Sequence, residues 1–327
     1  MSNVLERTYH PETGEIGTFI PDGSHVTIQT DAQREATRQH FERERMRLVY
    51  RGLNWVACYH EAILGIIRDL TLIEAGALIK LLPFLRFKSE GKLVQDGRPL
   101  KQTDIARVLG RGKTQTTDIL RRLEALGVIS CEKEGRSNVY YISVDFHSMG
   151  GVLTGASFTK IYQVKAREIA EELTLSEIGL LYKILPFFHY QTYYLCDNPD
   201  EVNPEVIRHL NREQLAEKIG HDPQTVSELV GKLRSKGVLM TTGSRNTTHY
   251  LVHPDVMFRK EYEDEYTRVV RRMFEETGGS RFSKVKTEPF TPFSEDKTEP
   301  IESGDSVVLA GRKAVFADFL LFIFRDV

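Results

Sequence analysis

The chain repeats itself, and that repeat constrains its fold more than any other feature. Residues 70–84 read LTLIEAGALIKLLPF and residues 173–187 read LTLSEIGLLYKILPF, identical at ten of fifteen positions at an offset of 103. Upstream, 55–63 (WVACYHEAI) lies over 158–166 (FTKIYQVKA), with Tyr59 over Tyr162. Downstream the match resumes at an offset of 110, after seven extra residues in the second copy. There 105–129 (IARVLGRGKTQTTDILRRLEALGVI) lies over 215–239 (LAEKIGHDPQTVSELVGKLRSKGVL). The 327 residues would suit two domains on length alone. The repeat makes them two copies of one unit of about 100 residues.

Each copy predicts the same order of elements. A short strand ending in Tyr59 or Tyr162 leads into a helix. A second helix opens with a capping box, Thr71-x-x-Glu74 or Thr174-x-x-Glu177, in which hydroxyl and carboxylate satisfy reciprocal backbone donors. Pro83 and Pro186 stop it, because proline breaks the hydrogen-bond ladder. Two short helices follow, turning after Gly110 or Gly220, where glycine tolerates a positive φ. In the second copy Asp222-Pro223 is a strong helix start. Thr116, Ile119, Leu120 and Leu123, or Val226, Leu229, Val230 and Leu233, give one apolar face. Gly127 and Gly237 fall at the expected C-cap. A hairpin with a polar tip closes each copy, at 132–138 (EKEGRSN) and 242–248 (TGSRNTT).

Helix, tight turn, helix and hairpin is the winged helix-turn-helix order. The expected fold is therefore mainly α with small β-hairpins, in two tandem copies from an internal duplication. Such a unit suits duplex DNA. Its second helix fits the major groove, and its exposed first turns reach base edges. The hairpin places cations beside the backbone or in the minor groove. Overall charge argues little: 44 Lys+Arg against 46 Asp+Glu, a net of −2. Residues 98–145 nevertheless hold nine Lys/Arg and six Asp/Glu, and 205–250 hold seven and five. The neutral total hides two mildly basic modules.

The helix–turn–helix–hairpin stretch resembles winged-helix repressors of the multiple-antibiotic-resistance type. It is more similar to the winged-helix replication initiators of small Gram-positive plasmids and related phage proteins. Phe158-Thr159-Lys160-Ile161-Tyr162 matches that family's F-V-K-x-Y strand, and His253-Pro254-Asp255-Val256-Met257 matches the run that ends its wing. The first copy departs, with Trp55-Val56-Ala57-Cys58-Tyr59 and no His-Pro. The resemblance covers about 54–260 and implies DNA binding in transcription regulation or in plasmid or phage DNA replication.

The expected DNA-binding residues of the first copy are Arg111, Lys113, Thr114, Gln115, Thr117 and Arg121 on or beside the second helix, with Asp118 on the same face. Its hairpin offers Lys133, Arg136 and Asn138. In the second copy they are Gln224, Thr225, Ser227 and Lys232, beside Glu228, with Arg245, Asn246 and Thr247 on the hairpin. Gln pairs with adenine, Arg or Lys with guanine, and Thr or Ser with phosphate. The apolar skeletons match but the exposed faces differ, KTQTTDILRR against PQTVSELVGK. One chain is thus expected to act as a pseudo-dimer on two non-identical half-sites. A protein-interaction module is the alternative from another class.

Other signals are set aside. Gly110-Arg111-Gly112-Lys113-Thr114 lacks the earlier glycine of a phosphate loop, Arg107 standing there, and lies in a helical turn. His249 and His253 read as a same-face strand pair with no further ligand, so no metal or cofactor is expected. His60 and His189 read as structural. Cys58, Cys131 and Cys196 fit no zinc or disulfide spacing. No catalytic constellation stands out, so an enzyme is not expected. No secretory signal is read at the first residues, and the longest apolar stretch is too short to span a bilayer, so a cytoplasmic chain is expected.

The expected organisation is an N-terminal arm (1–53) with a charged helix at 31–48, winged-helix units at 54–152 and 153–260, and a helix at 261–276. A flexible linker (277–305) and an apolar tail (306–327) follow. Residues 10–24 read as a loop or strand pair. The tail, from Val307 to Val327, is expected to serve self-association or a protein partner rather than a membrane.

Overall fold

The computed structural model describes residues 7–9, 16–18, 30–50, 54–135, 137–244 and 247–277. A strand pair, β1 (Arg7–Tyr9) and β2 (Ile16–Thr18), and helix α1 (Asp31–Tyr50) come first. The first half holds β3 (Trp55–Tyr59), α2 (His60–Ile66), α3 (Leu72–Leu81), a small ladder of β4 (Val94–Gln95) and β5 (Arg98–Pro99), then α4 (Gln102–Leu109), α5 (Lys113–Ala125), β6 (Ile129–Glu134), β7 (Ser137–Ile142) and β8 (His147–Ser148). The second half holds β9 (Phe158–Tyr162), α6 (Gln163–Glu172), α7 (Leu175–Ile184), α8 (Arg212–Ile219), α9 (Pro223–Ser235), β10 (Leu239–Ser244) and β11 (Thr247–Val252). Helix α10 (Glu265–Glu276) follows. Helices hold about 48% and strands about 21%, so the chain is mixed, with its strands in small antiparallel sheets.

Local chemistry sets the helix ends as the sequence predicts. Both capping boxes form: Glu74 N donates to Thr71 Oγ1 at 3.2 Å and Thr71 N to Glu74 Oε2 at 2.8 Å. Thr174 and Glu177 repeat this at 3.4 and 2.7 Å. The prolines close α3 and α7 with single 3-10 turns, Leu82–Phe84 and Leu185–Phe187. Gly110 (φ 64°) and Gly220 (φ 70°) end α4 and α8 in the left-handed region. Helices α5 and α9 bury the two predicted apolar faces.

The halves meet through the same residues on each side. β3 pairs antiparallel with β9, Trp55 opposite Tyr162 and Tyr59 opposite Phe158. Trp55 and Phe158 are repeat equivalents, as are Tyr59 and Tyr162, so the pairing has the form of an isologous dimer contact within one chain. Trp55 and Phe158 stack at 5.9 Å. Behind this sheet α3 crosses α7. Both are apolar on nearly every face, the pattern of a helix buried all round. Their backbones come very close: a Cβ on Gly76 would lie 2.1 Å from Leu175 O, and one on Gly179 would lie 1.9 Å from Leu72 O. These too are equivalent pairs.

One apolar cluster runs through both halves, from Val56 to Phe274. Polar side chains cross the seam as well. Gln163 Nε2 donates to Leu82 O and Leu85 O at 3.2 and 3.1 Å. His60 Nε2 is hydrogen bonded to Thr159 Oγ1 at 2.9 Å, and Thr159 Oγ1 donates to Leu185 O at 3.2 Å.

The flanks behave differently. Residues 30–38 of the charged N-terminal segment are exposed. Helix α10 packs back on the second half, burying Thr267, Val270 and Phe274. Tyr193 and Thr267 hydroxyls are hydrogen bonded at 2.6 Å. The expected linker beyond residue 277 and the apolar tail from Val307 lie outside the described residues. Among the described residues no helix is long and apolar enough to cross a membrane.

Candidate nucleic-acid interface

In each half two helices joined by a three-residue turn project from the seam, flanked by a hairpin. The first is α4, Gly110-Arg111-Gly112, α5 and the β6–β7 hairpin. The second is α8, Gly220-His221-Asp222, α9 and the β10–β11 hairpin. The second turn is anchored from behind. Lys183 is fully buried and donates from Nζ to Ile219 O at 3.0 Å. Burial pulls its pKa down to about 8. Its equivalent, Lys80, is also lowered, by burial and then by the positive charge of Arg111. Lys80 and Arg111 thus share one cationic patch beside the first turn.

Most predicted residues of the first module are outward. Arg111, Lys113, Thr114, Gln115, Asp118 and Arg121 are exposed. Arg121 leans on Asp118 at 3.3 Å. Helix α5 has no side-chain cap, since Gly112 holds its N-cap position. Thr117 departs from expectation. It is half-buried, its Oγ1 donates to Lys113 O at 2.8 Å, and Gln102 Nε2 donates to it at 2.6 Å. The neighbouring helix takes that hydroxyl out of the free surface.

On the first hairpin Lys133 and Asn138 sit opposite each other and exposed. Glu134 beside them accepts from Lys92 Nζ at 2.5 Å and from the Tyr141 hydroxyl at 2.8 Å. These bonds, that to Lys92 foremost, hold its pKa below the usual carboxylate range. Arg136, at the tip, lies outside the described residues.

In the second module Gln224, Thr225, Glu228 and Lys232 are exposed, while Ser227 is only half-exposed. The Asp222 carboxylate accepts from the amides of Gln224 and Thr225 at 2.8 and 3.1 Å. Gln224 Nε2 donates to Glu228 Oε1 at 3.1 Å. Arg245 and Asn246 lie outside the described residues; of Thr247 only the backbone pairing with Ser244 is described.

The predicted same-face pair of His249 and His253 does not form. β11 ends at Val252, and His253 turns inward against the Phe274 ring at 4.7 Å, its Nδ1 accepting from Asp255 N at 3.1 Å. His249 faces His209 at 4.4 Å. Among the described residues no group of three or more His, Cys, Asp or Glu is placed to hold a metal ion. Burial raises the pKa of Cys58 and pushes Cys196 up to about 12, away from thiolate chemistry.

The sequence reading missed Arg107 and Lys80. Arg107 lies in the last turn of α4 with its side chain 78% exposed. Its signal was present in the repeat, where Glu217 occupies the equivalent position. The chain matches no family model and no curated protein.

Proposed function

We propose that the chain is a sequence-specific duplex-DNA-binding protein built from two winged helix-turn-helix modules fused into a pseudo-dimer. The observation that carries this reading is the paired arrangement itself. Two helix–turn–helix–hairpin modules flank a seam made of equivalent residues, each with an exposed polar first turn on its second helix. A symmetric dimer reads a palindrome. Here the seam pairs like with like, while the outward faces are different, so the preferred duplex carries two non-identical half-sites. Regulation of transcription is the role we favour. The resemblance of 158–162 and 253–257 to plasmid and phage replication initiators supports origin binding as the second reading.

Selection of duplexes from a random pool by the full chain tests the proposal. The expected product is one asymmetric site bound in a salt-dependent way. A perfect palindrome of either half-site binding as well as the selected site would remove the pseudo-dimer. Absence of salt-sensitive binding to any duplex would favour a protein-interaction module. Mapping bound sites in the host genome separates the two DNA roles: promoters point to regulation, a replication origin to initiation.

A further inference from the structure

Superimposing the repeats position by position exposes a charge difference between the modules. Around the turn and along the second helix the first module carries Arg107, Arg111, Lys113 and Arg121. The equivalent positions of the second carry Glu217, His221, Pro223 and Gly231. Burial, with the nearby charge of Lys183, draws the His221 pKa down to about 4, so that ring is neutral near pH 7. Four cations on one face therefore answer to one anion on the other.

The caps follow the same division. The first turn of α5 has no side-chain acceptor, while Asp222 places a carboxylate on the first turn of α9. Of the second module's own cations, Lys232 stands where the first has Arg122 and so is common to both. Lys232 and Arg234 sit in the last turn of α9, and Arg234 donates to Thr241 Oγ1 at 3.3 Å. Lys218 is paired with Asp197, and Lys236 with Glu177 at 2.8 Å. In the first module Arg107 and Arg121 make only exposed pairs within their own helices, which are weak. Arg111 and Lys113 make no ion pair or side-chain hydrogen bond among the described residues.

We infer that the first module supplies nearly all of the grip on DNA phosphates, while the second meets the duplex through a near-neutral face. The inference rests on the DNA-binding reading above. Counterion release makes the slope of log K against log salt a count of neutralised phosphates, about 0.9 per contact on duplex DNA. The full chain then lies on its site in one fixed polarity, held by its first module.

The test is the salt dependence of binding to a selected duplex, with each variant's urea midpoint checked against the parent. Arg111→Ala with Lys113→Ala is expected to lower the slope by about two. Lys232→Ala with Arg234→Ala is expected to lower it by less than about one. Glu217→Arg with Gly231→Arg, which copies first-module charge onto the second, is expected to raise it by about two. Space around Gly231 is open, so the added side chain has room. Equal losses from the first two variants, or no gain from the third, overturn the division of labour and leave DNA binding standing. A parent chain with no salt-sensitive affinity for any duplex overturns the DNA-binding reading itself.

Discussion

The seam and the two modules have treated the same repeat in opposite ways. Where α3 crosses α7 each helix packs on its equivalent, so a change in one is felt by both halves; the β3 and β9 strands of the same seam share only Tyr59 and Tyr162. Residues 70–84 and 173–187, the core of that seam, keep ten identities in fifteen. On the exposed faces of the modules no such partner exists. The buried skeleton of α5 and α9 is alike, yet Glu217 stands at the position of Arg107 and Gly231 at that of Arg121. At this helix crossing mutual burial goes with identity, and on the exposed faces exposure goes with divergence.

The sharpest way to break this comparison is at the helix crossing. Gly76→Leu and Gly179→Leu each drive a side chain into the opposite helix backbone, at Leu175 O and Leu72 O. We expect neither variant to give a cooperatively folded chain. The milder Gly76→Ala and Gly179→Ala should each cost at least about 1–3 kcal/mol, the range for overpacking, and the two costs should be similar. Urea unfolding measures both. A Gly76→Ala chain as stable as the parent would mean that the backbones do not approach as described.

Much of the modules is legible in the sequence, because their boundaries are written in local chemistry. Thr71 and Glu74, Pro83, Gly110 and Asp222-Pro223 each act within one turn of the chain. The seam was not legible in the same way. Nothing in WVACY or FTKIY says that each strand is the other's partner, since pairing depends on contacts about 100 residues apart. Gly76 and Gly179, identical glycines in helices otherwise rich in large apolar residues, were the available signal. Thr117 shows the converse failure: its spacing is that of an exposed residue, but Gln102 from the adjoining helix claims its hydroxyl. His253 was misplaced because a strand pattern carries no mark of where the strand stops.

Buried histidines give the two halves an asymmetry that pH can sharpen. Buried His60, His147 and His253 stand where the other half has Gln163, Met257 and Ser143. Burial lowers their pKa values to about 3, 3 and 4. Each has one ring nitrogen without a hydrogen-bond partner among the described residues. Below pH 6.5 the unfolded chain takes up protons that the folded chain refuses. Stability is therefore full above that pH and falls as pH drops toward about 4. Each histidine adds at most about 1.4 kcal/mol per pH unit to that slope. Melting temperatures between pH 7.5 and 4.5 should show it. Exchanging the three for their counterparts, His60→Gln, His147→Met and His253→Ser, should flatten the profile. An unchanged profile would remove these groups as its cause.

The segments that follow the two hairpins differ more locally. Asp255 in the second half is nearly buried and accepts from Arg271 Nε and Nη2 at 3.1 and 2.8 Å, and Glu263, also buried, pairs with the same guanidinium. Its equivalent in the first half, Asp145, is exposed. Arg271→Met removes the guanidinium that both carboxylates share and should cost about 3–5 kcal/mol. Asp145→Ala should stay within about 0.5 kcal/mol. Adding Asp255→Asn to Arg271→Met should recover part of the loss, because one of the stranded charges is gone. Failure to recover any would place the cost in lost packing of the arginine stem rather than in charge.

The finest test compares the two capping boxes, which are alike in the hydroxyl and unlike in the carboxylate. Thr71→Ala and Thr174→Ala each remove one N-cap bond and should cost about 1 kcal/mol, equal within about 0.5. The glutamates should separate. Burial works to raise the Glu177 pKa, but the bonds from Lys236 at 2.8 Å and from Thr174 outweigh it and leave it lowered. Glu74 has Arg122 only at 3.9 Å. Glu177→Gln should therefore cost more than Glu74→Gln. In a Lys236→Ala background the gap should close, since the added stabilisation comes from that ammonium and not from the cap. A gap that persists without Lys236 would assign the difference to the tighter burial of Glu177 against the second module.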